Sequence, residues 1–327
     1  MLTNLTMLDV GLNELTGTLP FEYWGGLSNL FYLFVDNNRF KGSISSTIGK
    51  LTALRYLVTS VNTLSGTIPM EIGLLSELRW LWLGYNNLSG PIPDSIGNLT
   101  NLWALDLEFL SITGTIPTSI GDLKFCIYVD ASRNSLTGVI PSSLCDMRNL
   151  LGAVLNSNLL TELPTCIGKL TQLQALNLDY NQIPVIPSSI SNLSNLIVFQ
   201  MANNLLSSSL PTSLNKLSAL QQLVLDRNYL TGEINSRLFE LPSLVTLSLN
   251  NNRFRKLPQD LKPSTTLQSV DISYNELTGS LPHALFVGPL KSLAASSNCM
   301  SIELPSSVCS ADSLVSLSLH AMTGGSR

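Results

Sequence analysis

Residues 78–93 read LRWLWLGYNNLSGPIP. In an extended strand successive side chains point to opposite faces, so Leu81 and Leu83 must turn one way and Trp80 and Trp82 the other. The leucines define an apolar, inward face. The intervening positions should then meet water, yet they hold two tryptophans, with Tyr85 just beyond. Asn86 follows, then Gly90 and Pro93, residues suited to a turn that ends the strand.

The segment is one copy of a unit. Aligned on Asn86, the chain repeats at Asn13, Asn38, Asn62, Asn86, Leu110, Asn134, Asn158, Asn181, Asn204, Asn228, Asn252, Asn275, Asn298 and Met322, with gaps of 23 to 25 residues. Leu, Val or Ile usually stands eight, five and three residues before this position, and another apolar residue two after it. The unit is LxxLxxLxLxxNxL, with a tail that in most copies reads xGx(I/L)P. One such unit cannot bury its apolar face alone; stacked units share a continuous core and pair their short strands into a parallel sheet. An Asn side chain at the turn satisfies backbone groups that a coil would otherwise bury unpaired. Leu110 and Met322 lack that amide.

About fourteen copies in register, from Leu2 to Leu319, resemble the leucine-rich repeat family, and their LxGxIP tails resemble its plant-type class, seen in plant receptor-like ectodomains. The resemblance implies an α/β solenoid: a curved right-handed superhelix with a parallel β-sheet on its concave face and irregular or short helical convex returns. Residues 1–327 read as a single domain of about 14 repeats, without recognisable capping units. A larger parent chain, a partner or self-association is expected to cover the ends, and the GGSR tail reads as a linker.

Some copies depart from the pattern. NLLTELP, NQIPVIP and NRFRKLP lack the Gly and run one residue short before Pro, while Ser208 and Ile302 replace Gly elsewhere. Any second sheet formed by the tails is expected to be interrupted there.

The outward columns carry the functional signal. Six residues before the aligned Asn stand Tyr32, Tyr56, Trp80 and Tyr128; four before it, Phe34, Trp82, Asp106 and Asp130; one before it, Tyr85 and Phe109. Glu108 lies two residues before Leu110. The aromatics are confined to copies two to six, whereas later copies hold small or polar residues at most of these places. Strands about 4.8 Å apart make the cluster contiguous over roughly 20 Å. Exposed aromatics rimmed by charge suit ligand binding, because Trp and Tyr bury much area at low entropic cost. The candidate ligand-binding residues are Tyr32, Phe34, Tyr56, Trp80, Trp82, Tyr85, Asp106, Glu108, Tyr128 and Asp130, with Arg55, Arg79, Asp36 and Arg133 completing a polar rim. The bland alternative is cross-strand packing of good strand formers.

Composition removes other classes. Charged residues are 12% of the chain and the net charge is −4, with no basic stripe to neutralise phosphates, so no nucleic-acid partner is expected. No apolar run is long enough for a membrane span. No phosphate loop, dinucleotide, kinase or metalloprotease pattern occurs, and no cofactor is expected. His283 and His320, the only histidines, stand in no pattern with a nucleophile or metal ligands. The carboxylates Asp106, Glu108 and Asp130 share a face, but an open sheet does not exclude water as an acid–base pair requires.

Two functions remain. One is a non-enzymatic, receptor-like recognition module that binds a peptide, glycan or protein on the concave face, extracellular or at the cell surface as part of a longer precursor. The alternative is a cytoplasmic or structural protein-interaction scaffold. Four sequons, at Asn4, Asn87, Asn98 and Asn192, suit a secreted glycoprotein, although NLS and NLT also arise from the repeat itself. Of the five cysteines, Cys126 falls in a leucine column and reads as core. Cys299 and Cys309 stand in one copy, either bridged or free.

Overall fold

Leu78, Leu81 and Leu83 are fully buried, while Trp80 and Trp82 between them are half-buried on the opposite face. That alternation recurs through the computed structural model, which describes residues 3–301 and 303–322; Ile302 and the GGSR tail lie outside the described residues. Contacts divide the chain into two units, Met1–Leu173 and Gln174–Arg327.

In the first unit seven short strands pair in parallel: Met7–Asp9, Tyr32–Phe34, Tyr56–Val58, Trp80–Trp82, Ala104–Asp106, Tyr128–Asp130 and Gly152–Val154. The register is uniform, with Tyr32 opposite Tyr56, Tyr56 opposite Trp80, Trp80 opposite Ala104, and Ala104 opposite Tyr128. Residues at one repeat position therefore form straight rows across the sheet.

The conserved-spacing asparagines bind neighbouring rungs together. Asn86 donates through Nδ2 to Thr59 O (3.0 Å) and Leu83 O (2.9 Å), while its Oδ1 accepts the Leu64 N–H (2.9 Å). Asn62, Asn134 and Asn158 make equivalent bonds. An aspartate would supply acceptors but not the amide donors. The residue before each aligned position takes a left-handed conformation without being glycine: φ is 55° at Tyr85, 51° at Phe109 and 55° at Arg133. That conformation costs a non-glycine residue about 1 kcal/mol. It also lets the Tyr85 N–H donate to Glu108 O at 2.8 Å and brings Asn86 into its ladder.

Beyond each Asn the tail forms a second sheet, running from Thr16–Thr18 to Leu159–Glu162. Its glycines hold the positive φ that the turn demands, 77° at Gly90. After an α-helical turn at Phe21–Trp24, the return segments are single 3₁₀ turns such as Met70–Leu74, Asp94–Asn98 and Thr118–Asp122, these three each burying one isoleucine. They stack so closely that a Cβ on Gly73 would collide with Ser95 O. A disulfide joins Cys145 to Cys166 on two adjacent returns. Cys126 is a buried thiol, its ionisation pushed up to about 12 by burial.

The second unit repeats the plan with strands Ala175–Asn177, Val198–Gln200, Gln222–Val224, Thr246–Ser248, Ser269–Asp271, Ser292–Ala294 and Ser316–Ser318. Asn228, Asn252, Asn275 and Asn298 continue the amide ladder. Its second sheet holds four strands, Thr231–Glu233, Arg253–Lys256, Thr278–Gly279 and Cys299–Met300.

The expected interruption of the tail sheet is only partly met. NQIPVIP forms no strand, and beside it only single bonds remain, such as Leu205 N–H to Ile183 O at 3.1 Å. Pro184, which has no N–H to donate, stands within that tail. Both NLLTELP and NRFRKLP do pair. A register shift opposite Gly138/Val139 in one case, and Gly232/Glu233 in the other, absorbs the missing residue.

Candidate ligand-binding site

Because the rungs are in register, the aromatics of copies two to six meet on the open face of the first unit's sheet. Tyr32 stacks on Tyr56 with centroids 4.9 Å apart and planes 5° from parallel; Tyr56 meets Trp80 edge-on at 5.1 Å; Trp80 stacks on Trp82 at 4.9 Å. Phe34 touches Tyr32 edge-on at 6.1 Å. Tyr85 stacks on Phe109 at 5.3 Å along the neighbouring turns. Contacts of this kind contribute about 0.5–1.5 kcal/mol each beyond area burial. The platform therefore stiffens the sheet as well as presenting apolar surface; Tyr85 and Tyr128 are both 39% exposed.

In the six-before row, Ala104 stands between Trp80 and Tyr128. Tyr128 inclines away from it, over Gly152, and donates its hydroxyl to Asp130 Oδ2 at 3.0 Å. The alanine leaves a notch between two aromatic walls, with Asp106 and Asp130 at its side in the adjacent row.

The three carboxylates differ in what they can still do. Asp130 is buried and saturated: Oδ1 accepts from the Ser132 N–H (2.9 Å) and hydroxyl (2.6 Å), and Oδ2 from Tyr128. It holds the turn rather than standing open as a rim residue. Glu108 accepts the Tyr85 hydroxyl at 2.9 Å and lies 3.9 Å from Arg133. That hydrogen bond, followed by burial, raises the ionisation of Tyr85. Asp106 leans over Gly84 and, among the described residues, takes only the Glu108 N–H on Oδ1, at 2.9 Å. Burial, with the nearby charges of Asp130 and Glu108, pushes its carboxyl up to about 6. Tyr128 is raised by burial first and by Asp130 next.

Arg55 and Arg79 do not serve as free rim charges. Each guanidinium lies over a ring in the column one residue earlier, Arg55 over Phe31 at 5.0 Å and Arg79 over Trp103 at 4.8 Å. Of this column the sequence reading named only Arg55 and Arg79; Trp103 and Ile127, both exposed, escaped it. The sign of it was an apolar or cationic residue just before each strand of the first unit after Met7–Asp9, which the alternation argument assigned to neither face.

Elsewhere, the sequon residues Asn4, Asn87, Asn98 and Asn192 are all exposed. Cys299 and Cys309 are free and exposed. His320 does meet hydroxyls, its Nδ1 lying 2.9 Å from Ser296 Oγ and 3.2 Å from Ser318 Oγ, but no carboxylate bonds the ring among the described residues. Among those residues there is no group of three His, Cys, Asp or Glu that could hold a metal ion, and no helix long and apolar enough to cross a membrane.

The Leucine Rich Repeat family matches the chain at residues 77–99, 126–147, 172–193 and 266–287. No curated protein matches the sequence. Among solved structures, the chain is similar to the Arabidopsis receptor kinase HAESA in complex with the peptide hormone IDA and the co-receptor SERK1, at 31% identity and a TM-score of 0.87, covering 98% of this chain and 56% of that one. It is similar to a TDR receptor at 29% identity and a TM-score of 0.80, covering 95% of this chain and 59% of that one. A leucine-rich repeat protein of Leptospira interrogans matches at 29% identity and a TM-score of 0.81, over 99% of this chain and 86% of that one. The chain thus spans less than two-thirds of either receptor's length. Its repeats are leucine-rich repeats, its fold is the α/β solenoid, and it resembles plant-type leucine-rich repeat receptor ectodomains.

Proposed function

We propose that this chain is an extracellular, non-enzymatic recognition module that binds a peptide or an extended protein segment on the open sheet face of its first unit. The observation that carries this reading is the cluster of half-buried aromatics on the outward sheet face, Tyr32, Tyr56 and Trp80 in one row across three strands with Trp82 stacked beside Trp80. Aromatic anchors of this kind supply most of the energy in small interfaces. Similarity to receptors solved with peptide hormones supports the ligand class. The disulfide between Cys145 and Cys166 supports an oxidising compartment over the cytosol, as do four exposed sequons.

The test is to pan a random linear peptide library on the intact protein and to counter-screen the selected peptides on the Trp80→Ala and Trp82→Ala variants. Peptides that lose binding to both variants support the reading. A selection that yields only peptides indifferent to both tryptophans overturns it.

A further inference from the structure

We propose that the notch above Ala104, walled by Trp80, Trp82 and Tyr128 and flanked by Asp106, receives the guanidinium of an arginine in the bound peptide. The inference rests on the preceding reading of the face and names the chemistry of one position in its ligand.

The notch is set by register. Trp80, Ala104 and Tyr128 are successive partners across three strands, so the two aromatic positions stand two strand spacings, about 9.6 Å, apart. Only a methyl group lies between them. Tyr128 tilts over Gly152, where a Cβ would come within 2.9 Å of its ring, and so leaves the space clear. Trp80 is held against Trp82 by stacking, with interplanar angle 3°. The gap suits a flat group inserted between ring-bearing walls.

Charge complementarity fixes the occupant's sign. The outward positions of copies five and six carry Asp106, Glu108 and Asp130, and among the described residues the one ion pair these carboxylates make is between Glu108 and Arg133, at 3.9 Å. Asp130 is spent on Tyr128 and Ser132, while Glu108 gives one oxygen, Oε1, to Tyr85. Asp106 Oδ2 and Glu108 Oε2 have no donor among the described residues, and of the two carboxylates it is Asp106 that stands on the strand of Ala104. A carboxylate edge beside indole rings is complementary to a cation, and guanidinium satisfies both: its face stacks on the ring and its edge donates to the oxygen. The protein builds the same pairing from its own residues in the adjoining column, where Arg79 lies 4.8 Å over Trp103.

The test uses the four tryptophan indole N–H signals of the intact protein, from Trp24, Trp80, Trp82 and Trp103, followed during titration with N-acetyl-arginine amide and its neutral isostere N-acetyl-citrulline amide. Saturable shifts of Trp80 and Trp82 are expected, with the arginine compound binding about ten-fold tighter than citrulline. Asp106→Asn should erase that preference. Equal responses to the two probes would overturn the proposal, as would shifts confined to Trp24 and Trp103, or no shift at about 50 mM probe. Failure here is distinct from failure of the parent reading. Tryptophan-dependent library peptides without an enriched arginine would leave the recognition face standing and remove the notch, whereas absence of tryptophan-dependent peptides would remove the face itself.

Discussion

Tyr128 occupies the space that a side chain on Gly152 would need. A Cβ at that glycine would lie 2.9 Å from the ring carbon Cδ2, so the glycine of the seventh rung decides where the tyrosine of the sixth can go. Gly152→Ala should swing the ring back toward Ala104 and close the notch. The backbone there is ordinary strand, so the melting midpoint should move by the equivalent of about 1 kcal/mol or less. Affinity for N-acetyl-arginine amide should fall severalfold. Unchanged affinity would show that the tilt of Tyr128 is incidental.

Asp106 makes a prediction about pH. Its carboxyl is pushed up to about 6, above the ordinary value near 4 of an unfolded chain. Between these values the folded state holds the proton more tightly. Stability should therefore decline as pH rises from about 4 through about 6. Asp179 in the second unit, also raised to about 6 by burial, adds to the same trend. Asp106→Asn keeps an acceptor for the Glu108 N–H and removes the buried charge. It should stabilise the protein at pH 7 by about 1 kcal/mol, a figure reduced because the carboxyl keeps contact with water. Denaturant melts at pH 4.5 and 7 on both proteins would measure it, and a variant with an undiminished pH slope would contradict the assignment.

Adjacent asparagines should behave oppositely. Asn86 is buried and bonds backbone groups on two rungs; Asn86→Ala should cost about 2–4 kcal/mol, since buried partners lose their bonds. Asn87 is exposed on the second sheet. Asn87→Gln should leave stability unchanged and, in a secretory host, remove one glycan. Mass spectrometry before and after glycosidase treatment reads the second effect, and a variant that differs from the parent only by the added methylene of glutamine would count against glycosylation at that site.

The bridge between Cys145 and Cys166 closes a loop with a sequence separation of 21. Replacing both by alanine should cost about 3 kcal/mol on the chain-entropy estimate. Alkylation without reductant should label the exposed Cys299 and Cys309 and spare this pair. Labelling of all four at the same rate would argue against the bridge.

The repeat made the parallel sheets legible, because the leucine spacing of LRWLWL dictates which side chains turn inward. The amide column was legible for the same reason, and Asn86 bonds as its position suggested. Three features were hidden. The left-handed turn falls on Tyr85, Phe109 and Arg133, residue types that give no hint of positive φ; the conformation is imposed by the ladder on either side. The disulfide joins neighbouring copies, and spacings read within one copy do not show it. Its signal was a separation close to the repeat length, which sets Cys145 beside Cys166 on adjacent returns. Asp130 looked identical in role to Asp106, and only the tyrosine and serine around it distinguish a saturated carboxylate from an available one.

The claim that the aromatics serve recognition more than folding is tested most directly by four variants read two ways. Trp80→Ala, Trp82→Ala, Leu81→Ala and Leu83→Ala are each melted and each assayed with peptides selected on the parent protein. The leucines are fully buried and should cost roughly 2–5 kcal/mol as core cavities, while leaving binding near the parent level at temperatures where the protein stays folded. The tryptophans are half-buried on the open face; their removal should cost much less stability and about 2 kcal/mol or more of binding. Tryptophan variants that unfold as readily as the leucine variants, or bind as tightly as the parent, would contradict the account and assign Trp80 and Trp82 to sheet packing.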